Sequence, residues 1–400
     1  MTKPRQMPLA GIRILDFSRV IAGPLCTQQL ADLGAKIFKV ENTTTGDEVR
    51  GFEPDGSPGR SPFFKGFNRT KKSVAINLKS SEGCEIALEL AGQCDVLIEN
   101  FRPGVMKKFG LDQATVRRKY PRIIYLSISA YGAEVPMADR PGFDPVLQAE
   151  SGMMELTGEP DGAPMRTGLS FIDTLTASHA ATAICAALLA RHQSDEGDYI
   201  DLALLDTAIA ALGNMAMTWL AAGKLPSRAG NSHIEATPTD LFRTSTEPIY
   251  LAVSSNRLFR QLCVDVLDRS DLPDDPEFLN PKARLEHRVK LKALIEGVLL
   301  TQPASYWLKR MRHLPAGRVR TLDQALASEE VIARQMVQTV TEADGTEMQL
   351  LGSTFKFKET PLQSAKPPPR HGEHTDAVLS ELLGFSEAKL AKLRADSIIR

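Results

Sequence analysis

The sequence predicts an α/β protein built around an open, doubly wound parallel sheet. Two observations carry that expectation: a strand–loop–helix–strand run at the start of the chain, and the same pattern again after it. A third observation, a shift in composition past the middle, predicts a smaller α+β region. Residues 12–17 read as a buried strand, the loop 19–24 follows, and residues 25–33 carry apolar side chains at helical spacing before 36–41 read as a second strand. One such unit demands a parallel pair and a right-handed crossover. Residues 73–77 are then a strand, 81–91 a helix opened by Ser81, 95–99 a strand and 123–129 another. Sheets of this kind hold ligands at the carboxyl ends of their strands, so the loops after Asp16, Glu41, Asn77 and Glu99 are expected to line a site.

Past the first half, residues 201–225 read as one long, mostly apolar helix containing Trp219, leading to a polar loop over 226–239. The strand 249–253 and a helix over 256–267 begin the smaller region, which continues through charged helices to about residue 312. Residues 315–321 read as a linker back, and 325–336 as helical.

At 400 residues and 42% hydrophobic composition, the chain is long enough for one large or two medium cores. Its 48 basic and 49 acidic side chains leave a formal net charge of -1, which gives no global attraction to nucleic acid or to an anionic membrane. An anionic ligand must therefore be held by local groups. No apolar run approaches the roughly 20 residues of a membrane span, and the opening segment lacks the apolar core of a signal peptide, so a cytoplasmic protein is expected. Cys26, Cys84, Cys94, Cys185 and Cys263 are odd in number and scattered without metal-type pairs, as suits reduced thiols. No metal site is expected. A nicotinamide-dependent dehydrogenase would fit the opening unit, but residues 18–24 lack the G-x-G-x-x-G turn that cradles a dinucleotide.

One carboxylate stands out. Asp173 lies where a short segment with loop signals before it meets a long alanine-rich helix running to Arg191. On spacing it reads either as the cap of a helix starting at Thr174, satisfying an orphan N–H, or as a nucleophile. The two roles are compatible, since a helix N-terminus favours the ionised acid.

Several motifs occur in order along nearly the whole chain: Asp16-Phe17-Ser18-Arg19-Val20-Ile21-Ala22-Gly23-Pro24; Leu33-Gly34-Ala35-Lys36 with Lys39-Val40-Glu41; Asn68-Arg69-Thr70-Lys71-Lys72-Ser73; Glu99-Asn100-Phe101-Arg102-Pro103-Gly104; Asp173; and Gly372-Glu373-His374-Thr375 with Leu382-Leu383-Gly384. Together they resemble the family III CoA-transferases (CaiB/BaiF family), the group that includes formyl-CoA and carnitine CoA-transferases and α-methylacyl-CoA racemases. The resemblance implies a large Rossmann-like open parallel-sheet domain built from both chain ends (1–225 and 318–400), a smaller α+β domain (226–317) and an interlocked homodimer.

It further implies that Asp173 is the catalytic nucleophile toward an acyl-CoA thioester, and that coenzyme A enters as a substrate rather than as a permanently bound cofactor. By matched position, Ile21 and Ala22 flank the reacting end. Ile76, Asn77, Leu78, Lys79, Asn100, Phe101 and Arg102 hold nucleotide and pantetheine, and Lys108 reaches phosphate. The resemblance also places Phe143 and Asp144 near the coenzyme. Asn42 stands where the formyl-CoA transferase has a CoA-contacting arginine, Ile21 where it has glutamine, and Arg19 where it has histidine. Those departures point away from formyl-CoA and toward the branch that moves CoA between dicarboxylates, with small carboxylic acids as partners and Arg19 facing either a distal carboxylate or Asp16. Asn231 and His233, in the segment matching a glycine-containing loop near the active site, are further candidates for substrate contact. Phe143 occupies the position of a racemase histidine, and a phenyl ring exchanges no proton, so epimerisation at the α-carbon is disfavoured and an α-methylacyl-CoA racemase is left as the alternative within the family. A non-catalytic CoA-binding protein is the alternative outside enzymes.

Overall fold

In the computed structural model, which describes residues 5–52 and 61–400, β1 (Arg13–Asp16) is joined through α1 (Ala22–Asp32) to the parallel strand β2 (Lys36–Glu41). Ser61 caps α2 (Pro62–Phe67) by accepting from the Phe64 N–H, with Pro62 at the first helical position. β3 (Lys72–Ala75) follows, then α3 (Ser81–Ala91), capped by Ser80, and β4 (Val96–Glu99). The chain continues through α4 (Val105–Lys108), α5 (Gln113–Lys119), β5 (Ile124–Ser129), α6 (Asp144–Glu150), α7 (Met153–Leu156), α8 (Phe171–Ser194), β6 (Tyr199–Ala203), α9 (Leu204–Ala211) and α10 (Asn214–Ala222). The six strands form one all-parallel sheet in the order β3-β2-β1-β4-β5-β6.

Next come the antiparallel strands β7 (Thr239–Phe242) and β8 (Ile249–Ala252), then α11 (Asn256–Gln261), α12 (Pro281–Glu286), α13 (Arg288–Leu299) and α14 (Ala304–Arg310). β9 (Ala316–Arg318) pairs with β8 as the third strand of this small sheet. The chain ends with α15 (Leu322–Leu326), α16 (Glu329–Ala333), the hairpin β10 (Val337–Thr341) and β11 (Glu347–Leu351), and helices α17 (Thr375–Leu383) and α18 (Glu387–Ala395).

The chain divides into two compact units. The first comprises Met1–Met153, Thr167–Ala221 and Glu330–Arg400; the second comprises Met154–Arg166 and Ala222–Glu329. In the first, strand alternation sends Leu15, Phe38, Val74, Leu97 and Tyr125 to one apolar layer, shared with α3, α17 and α18. Ile14, Ile37, Val96, Ile98 and Ile124 enter the other, against α1 and α8. The second unit has its own core around Phe242, Ile249, Phe259, Leu291 and Trp307.

The structure departs from the sequence expectation in several places. Residues 201–225 are not one helix: Asp201 pairs with Ser127 on the edge strand β6, and α9 and α10 are bent by 76° about a break where Gly213 takes a φ of 51°. Residues 315–321 are not a free linker, because β9 completes the small sheet. The expected helix 325–336 is two short helices, and that over 256–267 passes into a π-helical turn at Leu262–Val266. The division of the chain also differs from 226–317: residues 154–166 join the second unit, where Gly230 N–H donates to the Gly158 carbonyl at 2.9 Å and Arg228 pairs with Glu155 at 2.7 Å. Contrary to the reading of apolar runs, α8 is long and apolar enough to cross a bilayer, with a mean hydropathy of 1.3. Its Ile172, Ala177, Ala180 and Ile184 are nevertheless fully buried in the core.

Candidate active site

Sequence order reverses between β1 and β4, and in an open parallel sheet the ligand crevice opens at that point, beyond the carboxyl ends of the strands. The loop after β1 carries Ser18, Arg19 and Val20 into α1; the loop after β4 carries Asn100, Phe101 and Arg102. They are tied together, for the Arg19 N–H donates to Asn100 Oδ1 at 2.8 Å and Asn100 Nδ2 donates to the Arg19 carbonyl at 2.8 Å. The Arg19 guanidinium lies 4.6 Å from the centre of the Phe101 ring. Glu99 places Phe101 in turn, its Oε2 accepting the Phe101 N–H at 2.8 Å. Burial pushes the Glu99 carboxyl up to about 7, against the bonds from Ser127 and Phe101.

A cavity of about 320 Å³ opens here. Of the residues expected to bind coenzyme, Ile76, Asn77, Leu78, Lys79 and Phe101 line it, and Arg19 joins them. Leu78, Phe101 and Phe109 give the cavity apolar walls, and Arg19 and Lys79 give it cationic donors. Ile21, Ala22, Asn100, Arg102 and Lys108 do not line it. Ile21 and Ala22 are buried at the start of α1, Asn100 is spent on the loop clamp, and Arg102 and Lys108 are exposed. Asn42 lines the cavity, but its side chain builds its own loop: Oδ1 accepts from Thr44 and Thr45 N–H at 3.0 and 2.8 Å, and Nδ2 donates to the Gly46 carbonyl at 2.7 Å. A larger cavity of about 1480 Å³ runs under the tail segment 363–374 and includes none of the expected residues.

Arg19 does not pair with Asp16. Burial would raise the Asp16 carboxyl, but Lys71, Lys39, Ser18 and Thr27 outweigh it and hold it low. Thr27 Oγ1 donates to its Oδ2 at 2.6 Å and Lys71 Nζ at 3.2 Å. Among the described residues Arg19 has no carboxylate partner, and its Nε is buried without a hydrogen bond.

Asp173 sits in the first turn of α8, two residues inside the helix start at Phe171, so it is not the cap before Thr174. The capping carboxylate comes from elsewhere. Asp144, at the head of α6, accepts the Ile172 N–H at 2.7 Å and the Asp173 N–H at 3.1 Å on Oδ2. Gln148, one turn along α6 and fully buried, holds Asp144 from behind: its Nε2 donates to Asp144 Oδ1 at 2.6 Å, while its Oε1 accepts the Thr167 N–H at 2.9 Å. Burial first, and the Asp144 charge second, push the Asp173 carboxyl up to about 7. Near neutral pH it therefore exists both as acid and as a weakly solvated, more basic carboxylate. Phe143, just before Asp144, is 64% exposed and presents no titratable group.

Asn231 and His233 belong to the second unit. There the Asn231 carbonyl accepts from Tyr250 Oη at 3.1 Å, and His233 Nδ1 accepts the Glu235 N–H at 3.1 Å, which is the work of a turn residue. Among the described residues no cluster of three or more His, Cys, Asp or Glu could hold a metal ion. Sequence reasoning missed Gln148, whose only signal was its place four residues after Asp144 on a helix. It also missed Asp47, which lines the same cavity beside Lys39 and carries no spacing signal.

Residues 9–375 match the family described as CoA-transferase family III. The chain is 37% identical over 391 residues to the succinate–glutarate CoA-transferase of Agrobacterium fabrum, covering 94% of this chain and 96% of that one. It is 33% identical to the mouse succinyl-CoA:glutarate CoA-transferase, covering 98% and 90%. Among solved structures, a CaiB/BaiF family protein from Brucella suis superposes with a TM-score of 0.85 at 32% identity, over 94% of this chain and all of that one. The switch-point crevice, the acid at the head of α8 and a match of this extent place the protein in CoA-transferase family III, as an enzyme of that class.

Proposed function

We propose that this enzyme moves CoA from a dicarboxylyl-CoA such as succinyl-CoA to a free carboxylic acid, with Asp173 as the covalent nucleophile. The observation that carries the reading is the presentation of Asp173: its own N–H and the preceding one are fixed by a carboxylate on another helix, which leaves its side chain available at the head of α8. The relatives named above act on succinate and glutarate, which supports dicarboxylates as donor and acceptor here.

The chemistry balances as follows. The Asp173 carboxylate oxygen attacks the thioester carbonyl carbon, the C–S bond breaks, and CoA thiolate leaves a mixed acyl–aspartyl anhydride. The thiolate attacks the aspartyl carbonyl, expelling the donor acid and leaving an aspartyl-CoA thioester. The acceptor carboxylate attacks that thioester to form a second anhydride, and the thiolate takes the acceptor's acyl carbon, freeing Asp173. Desolvation assists the first step, because a carboxylate lifted to about 7 is a stronger nucleophile than one near 4.

The cavity at the β1/β4 switch point is assigned to the nucleotide end of CoA, with Phe101 and Phe109 against the base and Arg19 and Lys79 as cations for its anionic groups. That assignment moves Arg19 from the acid substrate to the coenzyme. We also propose a homodimer. Support comes from α10, which has no buried residue and exposes Met217, Trp219 and Leu220.

Mass spectrometry of the CoA esters formed from succinyl-CoA and a panel of short mono- and dicarboxylic acids tests the reading, together with Asp173→Ala. Full transfer by that variant overturns it. Deuterium uptake at the α-carbon in heavy water without any acceptor acid would favour a racemase, against the phenyl ring of Phe143.

A further inference from the structure

Lys39 is a fully buried lysine in the middle of a central strand. An apolar side chain would pack β2 more cheaply, since a buried ammonium is tolerated only when paired and hydrogen-bonded. Its partners lie on two different loops. Nζ donates to the Ser18 carbonyl at 2.7 Å, at the start of the loop after β1, and sits 2.9 Å from Asp47 Oδ2, in the loop after β2. Asp47, itself 2% exposed, accepts the Val20 N–H at 3.4 Å and the Val49 N–H at 3.3 Å on its other oxygen, and donates its own N–H to Glu41 Oε2 at 2.8 Å. Arg19 is thus held from both sides, between Ser18 and Val20. Val20 has a φ of 70°, in the left-handed region that a β-branched residue avoids. Such a conformation persists only where its surroundings over-determine it.

We propose that Lys39 is a positioning residue: through Ser18 and Asp47 it locks the β1 and β2 loops together and fixes Arg19 at the rim of the coenzyme cavity. The proposal rests on the assignment of that cavity to CoA. The buried pair Lys39–Asp47 joins two walls of one cavity, and the loop it holds is the strained one.

The test is steady-state kinetics on the double variant Lys39→Met/Asp47→Asn, which removes both charges and leaves none buried alone. The KM for acyl-CoA is expected to rise about tenfold or more, with kcat and the KM for the acceptor acid changed by less than about twofold. A purely structural role would lower the active fraction, and so kcat, without moving KM. Leu78→Trp, which fills the cavity, is run beside it. An unchanged acyl-CoA KM in Leu78→Trp overturns the cavity assignment. A raised KM there with a native KM in the double variant overturns the positioning role alone. Val20→Gly relieves the left-handed conformation without touching the clamp; it is expected to keep the wild-type KM and melt at a higher temperature. A raised KM in Val20→Gly would mean that the valine, not the clamp, sets the loop, and would equally overturn the proposal.

Discussion

Asp144 Oδ2 accepts the N–H of Asp173 at 3.1 Å and that of Ile172 at 2.7 Å, so the first turn of α8 is capped by a carboxylate from α6 and not by its own sequence. Two consequences follow for Asp173. Its backbone is fixed, and its side chain carries a second negative charge beside it, added to burial in raising its proton affinity.

The rate should therefore depend on pH through Asp173. In the proposed mechanism attack needs the ionised carboxylate, so kcat/KM for acyl-CoA is expected to climb with pH below about 7 and to level above it. Asp144→Asn keeps an oxygen for the two N–H groups but removes the charge, and should move the limb to lower pH. Glu99 is also lifted to about 7, by burial, so Glu99→Gln is the needed comparison. If Glu99→Gln shifts the limb and Asp144→Asn does not, the titrating group is Glu99.

Stability should carry the same signature with the opposite benefit. The folded state holds the Asp173 proton up to about pH 7, while the unfolded chain releases it near 3.8. Between those values the folded state binds more protons, so this group makes stability fall as pH rises, and the loss is complete above about 7. Asp173→Asn, expected to be inactive on the proposed mechanism, should be more stable than wild type at pH 8 by on the order of 1–3 kcal/mol, discounted for the partial exposure of the group. Near pH 4 the two should melt together. Equal melting at both pH values would show that Asp173 is not perturbed.

The parallel sheet was legible because its strands are short apolar runs separated by helical spacing, and β2 and α3 fall where the pattern puts them. The edge was harder. β6 is half-exposed and runs directly into α9, so its residues read as the start of a helix until Ser127 and Ser129 of β5 supply ladder partners. Ile76 to Lys79 and Phe101 could be expected at the crevice, since loops after parallel strands converge there, and they line the cavity. The Gln148 brace behind Asp144 could not, because one of its two bonds goes to the backbone N–H of Thr167, which any sequence would offer. Asn42 shows the reverse limit: it lies in a loop that lines the cavity, but its amide is consumed by three residues of that loop.

Gly23 is required by a close approach. A Cβ there would overlap Ser18 Cβ, in the same loop that Lys39 and Asp16 hold. Gly23→Ala must push α1 off the loop or break the Ser18 bonds, so a loss of about 1–3 kcal/mol is expected, as for an overpacked core. Acyl-CoA binding should weaken with it. Denaturant melts and a KM measurement check both, and a variant with native values in each would show that the loop can yield at no expense.

The pair Arg69–Asp32 tests how much the scaffold depends on a buried charge away from the chemistry. Arg69 donates through Nη2 to Asp32 Oδ2 at 2.7 Å and through Nη1 to Oδ1, with both residues nearly solvent-free at 4% and 3%. This fork ties the segment before β3 to the end of α1, and the Arg69 N–H adds a bond to Gln28 Oε1 at 3.0 Å. Asp32→Ala leaves the guanidinium buried and uncompensated, for an expected loss of about 3–5 kcal/mol, whereas Asp32→Leu with Arg69→Met removes both charges and should be milder. Since neither residue lines the cavity assigned to CoA by proposal, the folded fraction of each variant should keep the wild-type KM for acyl-CoA. Equilibrium unfolding of the two variants decides the matter: a single variant less destabilised than the double one would mean that the charge is solvated in the folded state and that the fork contributes only packing.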